Sequence, residues 1–213
     1  MADHKRIAMF ISGRGSNFMA IHQGVERGEI NGRIVTVVSD QPEAAGLDYA
    51  RSRGLETAVF SLGGGEKRIA YFDHITANLA DKDVHLVVLA GFMKVLSANF
   101  IARYRNRILN IHPALLPSFP GTDAQAQALA YGVKYTGCTV HFVDEGVDTG
   151  PIVLQAVVPV LDQDEVHTLS ERILEQEHRL FPLAVKLFCE DRLEIRGRRV
   201  LVHASEINPA RLP

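Results

Sequence analysis

Cysteine is scarce in this chain of 213 residues, which contains only Cys138 and Cys189. The two residues lie far apart and form no CxxC motif, so a site built on closely spaced cysteines is not indicated. Cys138 falls in a strand-like run and Cys189 on a helix-like face. We therefore expect two reduced, buried thiols.

The sequence also lacks long apolar runs and an excess of charge of either sign. No segment has the length of a membrane span and no signal-peptide core precedes the first predicted strand, so we expect a cytoplasmic protein. Lysine and arginine number 23 and the acidic residues 25, and the net charge of −2 does not favour a nucleic-acid partner. A small basic patch at residues 196–199 is interpreted as a solvated face of a hairpin.

Apolar runs of strand length alternate with amphipathic segments of helix length through the first half of the chain. Strands are predicted at residues 6–12, 33–39, 57–60, 85–89 and 107–111, and helices at 16–27, 43–53, 66–79 and 98–104. Unbroken apolar strands that alternate with helices predict a parallel sheet covered on both faces.

The alternation of single strands with helices ends after Gly121. A helix at 123–131 is followed by two successive strands, 137–143 and 151–159, then by a long helix and a short hairpin, predicted at 165–189 and 193–203. Pro182 should kink the long helix or break one of its hydrogen bonds. With no repeat or linker in view, we predict a single-domain, three-layer, Rossmann-like α/β fold. Its mostly parallel sheet carries an antiparallel C-terminal addition, with the ligand cleft at the carboxyl ends of the strands.

Three residues could form a site for acyl-type transfer. Asn110 and His112 stand two apart near the end of a predicted strand, so their side chains share a face. Pro113 restricts His112 to an extended conformation. Asp148, in a glycine-rich loop, could reach the imidazole. For acyl-type transfer, the amide would be the oxyanion donor, the imidazole would handle the proton and the carboxylate would orient the imidazole. The alternatives are a buried Asn–His pair that closes a loop and a solvated acidic turn.

A second candidate lies between the first predicted strand and helix, at Gly15, Ser16 and Asn17. Glycine permits close backbone approach, and the free N–H groups at a helix start favour an anion. The alternative is a helix capped by serine, which is a common N-cap residue. Phe18 occupies the position where a dinucleotide-binding loop has a third glycine or alanine, and the lysine of a P-loop is missing.

Two blocks, residues 109–121 and 139–151, resemble the folate-dependent formyltransferases, and the resemblance runs from about residue 6 to residue 202. The segment 12–17 restricts this resemblance to the family members that act on a glycinamide ribonucleotide. The resemblance implies transfer of the formyl group of 10-formyltetrahydrofolate to the amine of that ribonucleotide in purine biosynthesis, without a metal. It also implies a phosphoribosyl-binding half at 1–105 and a catalytic and folate-binding half at 106–213.

The resemblance implies a role for each candidate residue. His112 is the central catalytic group, Asn110 donates a hydrogen bond to the formyl oxygen, and Asp148 is the partner of His112. The substrate-binding residues are Gly15, Ser16, Asn17 and Glu177 for the phosphoribosyl group, and Arg68, Met93, Lys94, Val95, Leu96, Val143 and Asp144 for the folate.

The sequence departs from the family at Asp123 and Gln125, where many relatives carry histidine.

The remaining functional alternatives are a formyltetrahydrofolate hydrolase, a non-catalytic folate- or nucleotide-binding module and a nicotinamide-dependent dehydrogenase. The expected partners are small-molecule substrates, with no nucleic acid or membrane, and the expected state is a monomer or a homodimer.

Overall fold

The structure, a computed structural model, describes residues 4–61 and 68–203. The chain divides into two compact units, Met1–Asn110 and Ile111–Pro213. Residues 66 and 67 of the predicted third helix lie outside the described residues. The predicted single domain and the predicted division after residue 105 stay predictions.

The first unit alternates strands and helices. Its elements are β1 (Lys5–Ile11), α1 (Ser16–Glu26), β2 (Gly32–Ser39), α2 (Ala45–Ser52), β3 (Thr57–Val59), α3 (Arg68–Leu79), β4 (Leu86–Leu89), α4 (Ala98–Arg103) and β5 (Ile108–His112), the last of which continues into the second unit. These strands lie in the order β3-β2-β1-β4-β5 and pair in parallel. The strands β1 and β4 are nearly continuous apolar runs because both faces of a parallel sheet are buried.

The strand order of this unit reverses at β1, which lies between β2 and β4. The loops that follow β1 and β4 therefore meet at the carboxyl ends of the strands, where open α/β sheets bind ligands. Two hydrogen bonds join these loops: Ser12 N donates to Gly91 O at 3.1 Å, and Met93 N donates to Ser12 Oγ at 2.9 Å.

The second unit has a different topology. Its elements are α5 (Ala124–Tyr131), β6 (Tyr135–Phe142), β7 (Ile152–Pro159), α6 (Val166–Cys189), β8 (Leu193–Arg196) and β9 (Arg199–Val202). The pairs β6–β7 and β8–β9 are antiparallel, and one parallel pair, Ile152 with Arg199, joins β7 to β9.

Helix α6 buries one apolar stripe that includes Leu169, Ile173 and Leu180. It begins with a capping box between Glu165 and Thr168. Proline has no N–H group to donate, yet α6 continues on both sides of Pro182 as a single helix.

The structure confirms the predicted α/β class, with a mostly parallel sheet and later antiparallel strands. Each predicted helix and strand is present, and the ends that the structure describes differ from their predictions by at most two residues. The antiparallel pair β6–β7 and the terminal hairpin match their predictions. Both cysteines are buried thiols, as expected.

Candidate active site

His112 and Asp148 meet in the second unit. His112 is the last residue of β5, is 4% exposed, and its Nδ1 lies 3.3 Å from Asp148 Oδ2. Its other ring nitrogen, Nε2, lies 2.8 Å from the carbonyl oxygen of Phe119. Both ring nitrogens therefore face oxygen acceptors, and the imidazole satisfies both when it is doubly protonated.

The loop that carries Asp148, residues 143–151 between β6 and β7, makes hydrogen bonds of its own. Asp148 has a φ of 54°, in the left-handed region that residues other than glycine rarely adopt. The carboxylate of Asp144 accepts hydrogen bonds from Gly146 N at 3.1 Å and from Thr149 Oγ1 at 2.6 Å. A backbone held in this region costs about 1–3 kcal/mol and persists where the surroundings fix it.

The electrostatic surroundings of Asp148 favour its charged form. Burial is the largest influence and by itself would raise the pKa, but the interaction with His141, the hydrogen bond from Gly121 N and the charge of His112 together hold the pKa of Asp148 below its usual value. Gly121 N donates to Asp148 Oδ2 at 2.8 Å. The site therefore keeps a carboxylate anion beside the His112 ring.

His141 is a site residue that the sequence analysis missed. It lies in β6, is 2% exposed, and its Nε2 is 3.6 Å from Asp148 Oδ1. Its Nδ1 is 2.9 Å from the carbonyl oxygen of Phe142. The available signal was a histidine in the same block as Asp148, seven residues earlier in the chain.

Asn110 lies two residues before His112 in β5, and Asn110 pairs with Leu89 of β4. Alternation along the strand points the side chains of Asn110 and His112 to the same side. The predicted hydrogen bond from Asn110 to a formyl oxygen stays a prediction.

The glycine-rich loop in the first unit joins β1 to α1. Gly15 is the N-cap residue of α1, with a φ of 73° and no side-chain cap, so Ser16 is not the cap residue that the alternative required. A Cβ on Gly15 would lie 3.1 Å from Gly46 Cα, and Gly46 N donates to Gly13 O. The predicted contact of this helix start with a phosphate stays a prediction. Asn17 is buried.

The predicted folate residues of the first unit differ in exposure. Met93 and Val95 are exposed, Leu96 is buried, and Arg68 is the exposed first residue of α3. Lys94 is partly exposed, and its Nζ lies 3.6 Å from the carboxylate of Asp40. Their contacts with a folate stay predictions.

The remaining predicted residues lie in the second unit. Val143 and Asp144 are half-buried at the start of the loop of Asp148. Glu177 is buried in α6, and burial followed by the charge of Glu177 raises the pKa of the Cys138 thiol to about 12. Their ligand contacts are untested.

Asp123 and Gln125, the departures from the family, lie at the start of α5. Asp123 is its N-cap residue, with a φ of 58°, and Gln125 belongs to its first turn.

Two further findings concern the described ranges 4–61 and 68–203. They contain no group of three or more histidine, cysteine or acidic side chains that could hold a metal ion. Of the helices in these ranges, none combines the length and the apolar character that crossing a membrane requires.

Comparison with known proteins places the chain among relatives of known type. A glycinamide ribonucleotide transformylase 1 structure from Symbiobacterium toebii superposes with a TM-score of 0.92 and 48% identity, covering 95% of each chain. The phosphoribosylglycinamide formyltransferase of Haemophilus influenzae is 40% identical over 192 residues, which is 90% of this chain and 91% of that protein.

A longer relative is the trifunctional purine biosynthetic protein adenosine-3 of Drosophila melanogaster. It is 45% identical over 185 residues, and the match spans 86% of this chain but only 14% of that protein. The family model for formyl transferases matches residues 5–185. The match covers most of the chain, and the chain therefore belongs to the formyl transferase family.

Proposed function

We propose that the chain transfers the formyl group of 10-formyltetrahydrofolate to the amine of 5'-phosphoribosylglycinamide. The products are 5'-phosphoribosyl-N-formylglycinamide and tetrahydrofolate, in de novo purine biosynthesis. The main support is the buried His112, whose ring nitrogens lie 2.8 Å from a carbonyl oxygen and 3.3 Å from a carboxylate. The name of the Haemophilus relative, a phosphoribosylglycinamide formyltransferase, supports the choice of substrate.

The reaction begins when the substrate amine attacks the formyl carbon on N10 of the folate. A carbon–nitrogen bond forms and negative charge develops on the former carbonyl oxygen. Asn110 and the protonated ring of His112 donate hydrogen bonds to that oxygen, at the point where the charge appears. The bond from the formyl carbon to N10 then breaks, N10 takes up a proton, and tetrahydrofolate leaves.

Asp148 has two functions in this proposal. Its carboxylate orients the His112 ring through Nδ1 and stabilises the protonated form. With a water molecule, it accepts the proton that the attacking amine releases. The lowered pKa of Asp148 supports the orienting function, because it reflects the attraction between the carboxylate and the neighbouring His112 and His141.

Binding is assigned to the remaining candidate residues. The backbone donors of Gly15, Ser16 and Asn17 hold the substrate phosphate, since a helix start favours an anion. The carboxylate of Glu177 binds the ribose hydroxyls. The folate lies against Arg68, Met93, Lys94, Val95, Leu96, Val143 and Asp144. The proposal includes a cytoplasmic monomer or homodimer that acts on small molecules.

The test is absorbance-monitored formyl release from a 10-formyl-dideazafolate, with and without 5'-phosphoribosylglycinamide. We expect release that depends on the amine and shows saturation with it. Equal release without the amine would identify a hydrolase instead, and no release in either case would favour a binding module.

A further inference from the structure

Arg198 makes a contact that the solvated-hairpin interpretation of the basic patch did not predict. Arg198 follows Gly197 in the turn between β8 and β9, and its Nη2 donates a hydrogen bond to the carbonyl oxygen of Thr149 at 2.9 Å. Arg196, in the same hairpin, instead pairs with its neighbour Glu194 at 2.6 Å. The two arginines therefore differ in their contacts: Arg196 pairs within the hairpin, whereas Arg198 reaches the loop of Asp148.

We infer that Arg198 is a positioning residue for formyl transfer, which acts on Asp148 through the Thr149 carbonyl. The inference rests on the proposed function. Thr149 is the next residue after Asp148, so a hydrogen bond at its carbonyl restrains the peptide unit that joins Thr149 to Gly150, one unit beyond the carboxylate-bearing residue. Asp148 needs such restraint because its φ of 54° is unfavourable for a residue with a Cβ.

Besides the contacts of the Asp148 side chain with β5, β6 and Gly121, contacts within the loop and with the strand before it hold the loop backbone. Thr149 Oγ1 donates to Asp144 Oδ1, and Gly150 lies against the Phe142 carbonyl, where an added Cβ would approach to 1.8 Å. Arg198 instead comes from a hairpin much later in the chain. A charged donor on a carbonyl is also stronger than a neutral one.

The hairpin offers a fixed support for the guanidinium. The strands β8 and β9 pair over four residue positions, and Arg199 pairs with Ile152 at the start of β7. Ile152 lies three residues after Thr149, and Arg199 is the residue after Arg198. Their pairing therefore holds the hairpin turn beside the end of the Asp148 loop. The arginine thus lies in a two-residue turn between two paired strands and not in a long loop.

The experiment compares Arg198→Ala with the matched control Arg196→Ala, measuring kcat and the KM for 5'-phosphoribosylglycinamide. We expect Arg198→Ala to lower kcat by about fivefold with little change in KM, the scale of one lost hydrogen bond at an exposed position. Arg198→Lys should restore part of kcat because it keeps a cationic donor. The Arg196→Ala control should match the parent protein. A normal kcat in Arg198→Ala would overturn the inference.

A double-mutant cycle tests whether Arg198 acts through Asp148. In an Asp148→Asn background, Arg198→Ala should lower kcat no further, because the group that it positions is already disabled. Fully additive losses would overturn the inference.

The NMR signals of the His112 ring give a readout that needs no turnover: Arg198→Ala should move them and Arg196→Ala should not. Absence of amine-dependent formyl release in the parent protein would reject the proposed function, whereas unmoved ring signals would reject the positioning role.

Discussion

Asp148 contacts His112 through the same carboxylate oxygen that accepts the backbone N–H of Gly121. Oδ2 lies 3.3 Å from His112 Nδ1 and 2.8 Å from Gly121 N. The orientation of the ring and the path of the chain near Gly121 therefore depend on one atom. Substitutions at Asp148 should mainly lower turnover. They should change substrate binding only if the backbone near Gly121 shifts.

Asp148→Asn should lower kcat by on the order of 100-fold while KM changes much less, because the amide cannot stabilise a protonated imidazole or accept the amine proton. Steady-state kinetics with both substrates measure this. Asp162→Asn is a suitable control, since that carboxylate is exposed and pairs with the exposed Lys134 at 2.9 Å. A change confined to KM would argue against the proposed function of Asp148.

His112→Ala should lower turnover at least ~100-fold, as the loss of an oxyanion donor does. The thermal unfolding midpoint should be recorded alongside, since the ring is buried against Phe119. His167→Ala gives the matched control, because its imidazole is exposed and lies on the first turn of α6. Near-normal turnover in a folded His112→Ala variant would rule out the assignment.

His141→Gln should reduce kcat by roughly tenfold, less than the loss at His112, since removing one partner of a charged hydrogen-bonded group costs about 1–3 kcal/mol. His141 lies 3.6 Å from the carboxylate oxygen of Asp148 that His112 does not contact. Its loss should leave Asp148 held on one side only. Kinetics on a variant with an unchanged circular dichroism spectrum measure the effect, and equal losses at both histidines would contradict the ranking.

Periodicity predicted the elements of this fold because apolar spacing follows the geometry of helix and strand. The ends of the elements were predicted less well: the second helix was predicted at 43–53, whereas α2 spans Ala45–Ser52. The pair of His112 and Asp148 was predicted from residue types and from the family resemblance together.

His141 and Arg198 could not be predicted in the same way. A lone histidine in an apolar strand is more often structural, and its nearness to Asp148 results from the way the loop folds back after β6. Likewise, the contact of Arg198 with Thr149 depends on the pairing of β9 with β7, which no local pattern specifies. Both contacts are tertiary, whereas periodicity describes local structure.

The stability contributed by Asp148 should depend on pH in the acid range. Its pKa in the folded chain is below the ordinary value of 3.8, so the folded state holds the proton less tightly than the unfolded state. The contribution is therefore fully present above pH ~3.8 and is lost as the pH falls through the folded pKa. The difference in free energy of unfolding between the parent protein and Asp148→Asn should shrink as the pH falls below that value. A difference that grew on acidification would contradict the direction of the shift.

Gly150→Ala should be severely destabilising and should also impair turnover. A Cβ at this position would lie 1.8 Å from the carbonyl oxygen of Phe142 and 3.3 Å from the backbone nitrogen of Asp144, and backbone atoms cannot move aside as a flexible side chain can. Overpacking of this kind costs about 1–3 kcal/mol or more, equivalent to roughly 2–4 °C per kcal/mol in a chain of this size. Thermal unfolding measures the loss.

The control for folding is Gly13→Ala, because a Cβ there would meet no atom within 4 Å. That variant should keep the parent unfolding midpoint, whatever it does to substrate binding. The strand β6 and the Asp148 loop must separate to admit the new methyl group in Gly150→Ala, so its kcat should fall even at temperatures where it remains folded. If Gly150→Ala kept both the midpoint and kcat of the parent, the close approach of Gly150 to Phe142 would not be what fixes the loop of Asp148.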